Sequence, residues 1–335
     1  YLTFDSATGG ITKAGKGTGN LFLGASAGNS TMTGTENNLI GSSVGTDITT
    51  GSYNFISGSN AGRYNQSGSD NIIIGRNAGQ GVSTNSYYNN IFLGMNAGYS
   101  NTTGSDNIFL QMNAGYYNTT GTENIFSGFY SGYYNQTGGY NIATGRDSLK
   151  GAGLYTGSDY NIALGNEAGY KIGSNADYNI FQGYQTGYNN TTASNNVEIG
   201  SQAGYTNATG ASNVFLGYRA GYYETGSNKL FIDNQQRASE ADGRLKALIY
   251  GEFNAATASQ LLAINGSLKI LEGTGGAYYT IFQGGDQAAD ITYTLPTTTP
   301  TASGYALVST TGGVLSWAAD VGFANPMTTA GDIIF

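Results

Sequence analysis

Cysteine and histidine are absent from this chain, proline occurs three times and methionine four times. Without Cys or His there are no disulfides, no thiolate metal site, no zinc site of the usual kind and neither a Ser-His-Asp nor a Cys-His nucleophile. Charge is sparse too: 13 Lys and Arg stand against 21 Asp and Glu, for a net −8. With no basic patch and no positive balance, the chain does not read as a nucleic-acid binder. No apolar run approaches the ~18–20 residues of a membrane helix, so no membrane insertion is expected in this segment. No signal peptide is visible either. Tyr1 opens the chain without Met and Gly331–Phe335 stops in what reads as mid-strand, so the sequence looks like a piece of something longer.

What is abundant is glycine, at 54 residues, and tyrosine, at 27. Low charge alone would fit disorder, but 39% hydrophobic residues set at a strict period argue for an ordered, Gly-punctuated β protein. The stretch Asn90–Asp106 is followed by a near copy, Asn107–Glu123. Twelve such units open at Asn20, Asn37, Asn54, Asn71, Asn90, Asn107, Asn124, Asn141, Asn161, Asn179, Asn196 and Asn213. Nine of the eleven intervals are 17 or 18 residues; the longer ones carry extra residues around Gly81–Tyr88 and Gly151–Tyr155. A 17-residue period is too short for a helix pair or a propeller blade and suits one turn of a parallel β-solenoid, or β-roll. At ~4.8 Å per turn, the twelve turns stack to roughly 58 Å.

Each position of the unit has a reading. The first is Asn in all twelve, suited either to an amide ladder along the axis or to a left-handed turn entry. The fifth is Gly except at Gln111, the ninth is Gly except at Leu149, and the eighth is small or modest throughout, as the narrow interior of a flattened coil requires. Asn90, Gly94, Ala97 and Gly98 therefore set the turn, with Asn107 and Asn124 repeating the first position. Two short strands per turn are expected, N-I-F-L and roughly A-G-Y-Y. In the first, Ile91 and Leu93 share one face while Phe92, like Phe109 in the next copy, points to the other. The second position is apolar except at Asn38, and the third except at Glu198. A strand apolar on both faces needs cover on both. One coil's interior covers only one face, so the chain is expected to assemble with copies of itself as a parallel homotrimer.

Residues 1–19 form a Gly/Thr-rich lead-in in which Leu2 and Phe4 suggest a short strand. The repeat spans 20–228, followed by a charged connector over 229–275 and β-rich modules over 276–335. Lys229–Glu252 carries eight charged residues in 24, against 17 in the 209 of Asn20–Asn228. A last strand is expected at Leu230-Phe231-Ile232 and a short helix over Ser239–Lys246. Further strands are expected at Ala247–Phe253, Leu261–Ile270, Tyr278–Gln283, Ile291–Leu295, Ala306–Ser309 and Val314–Trp317, with Asn265-Gly266 as a hairpin turn and 296–303 as a linker.

Little in the chain looks catalytic, and neither a cofactor nor a metal is expected. The carboxylate pairs close in sequence are Asp286 with Asp290 and Glu240 with Asp242, the latter set among Arg237, Arg244 and Lys246 as ion pairs would be. The acids before the repeat Asn (Glu36, Asp70, Asp106, Glu123) are too irregular for a calcium-binding roll. N-x-S/T triplets occur at Asn29, Asn65, Asn101, Asn118, Asn135, Asn190, Asn207 and Asn265, where turn chemistry competes with a glycosylation reading. The tenth and eleventh positions place Tyr99, Tyr116, Tyr117, Tyr133, Tyr134, Tyr170, Tyr188, Tyr205, Tyr222 and Tyr223 in axial rows. Such rows stabilise a sheet face and also make a candidate contact surface for sugars or protein, with Tyr99 to Thr103 facing outward.

The N-I-F-L-G-x-x-A-G-Y unit resembles the head repeats of trimeric autotransporter adhesins of the YadA type over about residues 20–228, with an added Tyr-Asn-Thr-Gly loop. The tail is similar to phage tail-fibre and related surface-fibre proteins in Ser227-Asn228-Lys229-Leu230-Phe231-Ile232, in Tyr293–Leu295 with Tyr305–Trp317, and in Met327–Phe335. The resemblance implies a left-handed roll with three chains to a rod. It implies a non-enzymatic adhesive fibre outside the cell or on a virion, meeting a host surface glycan or protein receptor. Two other readings are a self-assembling extracellular filament and a carbohydrate-active fibre segment.

Overall fold

The computed structural model describes residues 3–5, 10–12, 17–82, 85–153, 156–271, 279–282, 305–309 and 315–319. The chain forms two compact units, residues 1–266 and 267–335. At the start, β1 (Thr3–Asp5) pairs antiparallel with β2 (Gly10–Thr12), a strand at Phe4 as the lead-in suggested.

The repeat is a parallel β-solenoid. Each unit contributes one three-residue strand: β3 (Leu21–Leu23), β4 (Asn38–Ile40), β5 (Phe55–Ser57), β6 (Ile72–Ile74), β7 (Ile91–Leu93), β8 (Ile108–Leu110), β9 (Ile125–Ser127), β10 (Ile142–Thr144), β11 (Ile162–Leu164), β12 (Ile180–Gln182), β13 (Val197–Ile199) and β14 (Val214–Leu216). Equivalent residues align turn on turn, as Phe92 with Phe109 and Phe109 with Phe126. The expected second strand, A-G-Y-Y, is a turn instead. Asn96 and Gly98 take left-handed backbone at φ 57° and 60°, which breaks the pleat. Stacking survives there all the same, because Gly98 N donates to Ala114 O at 3.0 Å and Ser100 N to Tyr116 O at 2.9 Å.

The strand's middle column fills the interior. Leu39, Ile56, Ile73, Phe92, Phe109, Phe126, Phe181 and Phe215 are all buried, and Phe92 stacks on Phe109 with ring centres 5.0 Å apart. The small eighth residue lies opposite, buried from Val44 to Ala220. Where the middle column shrinks to Ala143 and Ala163, the ninth-position exception Leu149 is buried in the same core cluster. Its side chain replaces volume that Phe supplies elsewhere. Gln111, the fifth-position exception, keeps a positive φ of 85°, whereas Gly94 before it takes 143°. A Cβ on Gly94 would sit 2.5 Å from the Gln111 backbone, so glycine is needed there for close approach between turns.

The sheet does not stop with the repeat. β15 (Lys229–Ile232) pairs parallel with β14; then α1 (Glu240–Lys246) crosses to β16 (Ile249–Glu252) and β17 (Leu261–Ile264), both antiparallel, to complete fifteen strands. Ser239 caps α1 by accepting from Asp242 N at 3.2 Å, with acids in the first turn and bases in the last, as an N-cap and the helix dipole favour. Phe231 packs on Tyr250 at 5.0 Å and on Phe215 at 5.5 Å, so the connector closes this end of the coil's core. Arg244 grips the buried Glu224 carboxylate through two bonds of 2.8 and 2.6 Å, and Arg237 grips Asp233 likewise. The charged connector is thus an end cap, which a solenoid needs to shield its last apolar turn.

In the second unit, β18 (Leu268–Leu271) pairs antiparallel with β19 (Tyr279–Phe282), and β20 (Tyr305–Ser309) with β21 (Leu315–Ala319). Asn265-Gly266 is not a hairpin turn: β17 pairs with β16 and β18 with β19, so the strands flanking it have different partners. The expected strand Ile291–Leu295, the linker 296–303, the Met327–Phe335 segment and the Asp286/Asp290 pair lie outside the described residues.

Candidate functional site: the faces of the coil

Three surfaces of the coil carry chemistry, and the first is internal. The repeat Asn side chains form a continuous ladder rather than a left-handed turn entry; the left-handed residue is the one before, such as Asp106 at φ 61°. Asn107 N donates to Asn90 Oδ1 at 3.0 Å, Asn124 N and Nδ2 donate to Asn107 Oδ1 at 3.0 and 3.2 Å, and Asn107 Nδ2 donates to Gly121 O at 2.8 Å. The pattern begins where Asn37 N meets Asn20 and ends where Lys229 N meets Asn213. Every amide is buried, so this column holds the coil and is closed to any ligand.

A second Asn column was legible in the sequence only as turn residues. Asn65, Asn101, Asn118, Asn135, Asn190 and Asn207 are at most 1% exposed, although Tyr99 to Thr103 was expected to face outward throughout. Each binds the glycine or alanine three residues on, as Asn101 Nδ2 binds Gly104 O at 2.8 Å and Asn135 Oδ1 accepts from Gly138 N at 3.0 Å. Glycan acceptors at these six positions are therefore enclosed, while Asn265 is exposed and Asn29 half-buried.

Glu198 belongs to the same interior. It occupies the middle column between Phe181 and Phe215, is fully buried, accepts from Asn207 Nδ2 at 3.1 Å, and leaves Oε2 without a hydrogen-bond partner. Burial pushes its carboxyl up to about 8, the Asn207 bond opposing this in part.

The second surface is the tyrosine rows, which the structure brings together as the sequence places them. Tyr99 and Tyr116 stack 4.8 Å apart, with Tyr133 next at 5.2 Å; Tyr117 stacks on Tyr134; Tyr170, Tyr188, Tyr205 and Tyr222 form a run at 4.8–5.0 Å. Partial burial first, and then the neighbouring rings, raises the phenol pKa of Tyr116, Tyr133, Tyr188 and Tyr222. Tyr134 packs against the core, and all of these rings are half-buried. Because most ring faces within a row meet another ring, the rows offer mainly ring edges and hydroxyls rather than flat faces. One further row was missed: Tyr140, Tyr160 and Tyr178 stack at 4.7 and 5.0 Å and are 45–57% exposed. Its signal was Tyr directly before three successive repeat Asn residues.

The third surface is the outer face of the strands. Ile91 and Leu93 are half-buried, and Leu23, Phe55, Ile72, Ile74, Ile125, Ile142, Leu164 and Ile199 are 36–43% exposed in the single chain. The face continues through the cap, since Leu216 aligns with Ile232, Ile232 with Ile249, and Ile249 with Ile264. Leu262 and Ile264 end it at 63% and 42% exposure.

Elsewhere, Glu240 pairs with Arg244 and Asp242 with Lys246, both at 2.5 Å, as the basic residues around them suggested. Among the described residues no three His, Cys, Asp or Glu side chains group to hold a metal, and no helix is long and apolar enough to cross a membrane. No family model, curated protein or solved structure matches this chain.

Proposed function

We propose that this chain is a non-enzymatic structural fibre in which three parallel copies pack their strand faces around a common axis. The rod so formed spaces and presents a surface that attaches to cells or glycans. The observation that carries the reading is the mostly apolar outer face of the fifteen-stranded sheet, which is partly exposed along its length. A monomer rarely leaves so long an apolar strip in water. Its ridges recur once per turn, at ~4.8 Å, and the surface that best matches that period over a dozen turns is another copy of the same sheet. The Phe92 column is not this face: it is buried inside its own coil. Attachment then falls to the faces away from the axis, where the tyrosine edges and hydroxyls lie with Asn, Thr and Ser between them. Surroundings outside the cell or on a virion follow from that role.

Growth into an indefinite filament is the weaker reading, because α1, β16 and β17 close the C-terminal end of the coil against a further parallel turn. Electron microscopy of the purified chain tests the proposal. Discrete rods of one length, carrying label from cells or immobilised glycans, are expected; filaments of indefinite length would favour end-to-end assembly instead. Cleavage of a polysaccharide by the purified rod would overturn the non-enzymatic reading.

A further inference from the structure

A strictly periodic interface has a register problem. If copies pack through the outer strand face, sliding one copy by a single turn replaces Ile and Leu with Ile and Leu, and little apolar contact is lost. Something aperiodic must distinguish the correct alignment. The outer face departs from its apolar pattern at two amides: Asn38, between Leu21 and Phe55 in its column, and Gln182, between Leu164 and Ile199. Ser57, Ser127 and Thr144 are the other polar positions, but their short hydroxyls can turn back to a neighbouring backbone. Asn38 is half-buried and Gln182 exposed, and neither side-chain amide hydrogen-bonds to any described residue of its own chain. This differs from the interior Asn columns, where each amide is engaged in its own coil.

We propose that Asn38 and Gln182 are the register-setting residues of the assembly. In the aligned state, like amides from adjacent chains meet and hydrogen-bond to one another across the axis. Slipped by one turn, Asn38 faces a partner copy's leucine or phenylalanine, Gln182 a leucine or isoleucine, and each amide is left buried without a partner. A single polar residue in an apolar seam fixes the alignment of coiled coils on the same principle. The two amides lie near opposite ends of the coil, so a slip in either direction breaks both. The inference rests on the proposed self-association through this face.

The absence of cysteine from the chain makes the test clean. Two full-length chains, one carrying Ile91→Cys and the other Ile108→Cys, are co-expressed and oxidised, and cross-linked peptides are identified by mass spectrometry. With Asn38 and Gln182 present, disulfides should join 91 to 91 and 108 to 108. With Asn38→Ile and Gln182→Leu, at unchanged assembly mass, mixed 91–108 disulfides should rise by roughly tenfold or more. Like-with-like links persisting alone in the double variant would overturn the register role while leaving self-association intact. A single-chain mass with no interchain link in either background would overturn the self-association and this inference with it. Both substitutions lie on the outer face, away from the interior, and Gln182→Leu alone should give a smaller rise in the same direction.

Discussion

At the residue scale, the coil's interior depends on amides as much as on apolar side chains. Asn107 holds Asn124 and Gly121 and is held in turn by Asn90. Asn107→Ala strands the Asn124 amide groups and the Gly121 carbonyl in a dry interior and should cost about 2–3 kcal/mol in denaturant unfolding. A loss below ~0.5 kcal/mol would mean that the ladder contributes shape but little stability. Glu198 makes the interior sensitive to pH. Its folded carboxyl is raised well above the ordinary carboxylate range, to about 8, so the folded state keeps a proton that the unfolded chain releases. Stability should be full below the unfolded value and fall by about 1.4 kcal/mol per pH unit as the pH rises towards about 8. Thermal unfolding of Glu198→Gln should be flat across that window; a slope equal to that of the parent chain would place the titration elsewhere. The first Asn column was legible in the sequence because it never varies across twelve copies. The second was not, since Asn-x-Thr-Gly reads equally as an outward turn, and only the closure of the coil shows Asn101 pointing in.

At the element scale, the first strand of each unit could be read from the spacing of the repeat, and the last strand at Leu230-Phe231-Ile232 and the helix over Ser239–Lys246 from the local sequence. The supposed strand A-G-Y-Y could not, because Tyr and stacking suggest β structure while the left-handed residues at the seventh and ninth positions forbid it. Periodicity reports that a segment stacks, and backbone chirality decides whether it does so as a strand. Gly94 tests the turn directly. At φ 143°, with the next turn's backbone 2.5 Å from where a Cβ would lie, Gly94→Ala should destabilise the coil by about 2 kcal/mol or more. Hydrogen exchange should show the loss centred on β7 and β8. Full tolerance of the alanine would mean that the backbone at this position relaxes readily, as it accommodates Gln111 at its smaller φ of 85°.

At the scale of the whole molecule, both faces of N-I-F-L are apolar; the coil encloses Phe92 and leaves Ile91 and Leu93 half-buried on its outer side. Composition could not show which face was which, since Phe, Ile and Leu are equally at home in either place. Nor could it show that the connector prolongs the sheet, because its charges conceal the apolar alternation of Ile232, Ile249 and Ile264. The tyrosine rows keep their place as the candidate contact surface, with ring stacking now accounting for their spacing.

The most direct test of three chains packed through the strand face is the mass of the purified protein in solution, by light scattering or sedimentation equilibrium. The chain weighs 34.8 kDa, and the account predicts a single species of three times that mass. Replacing Ile91 and Ile125 with Lys, at two half-open positions of the face, should dissociate it while the coil itself stays folded. A parent protein that runs at the mass of one chain, stable and soluble with the strand face in water, would contradict the account.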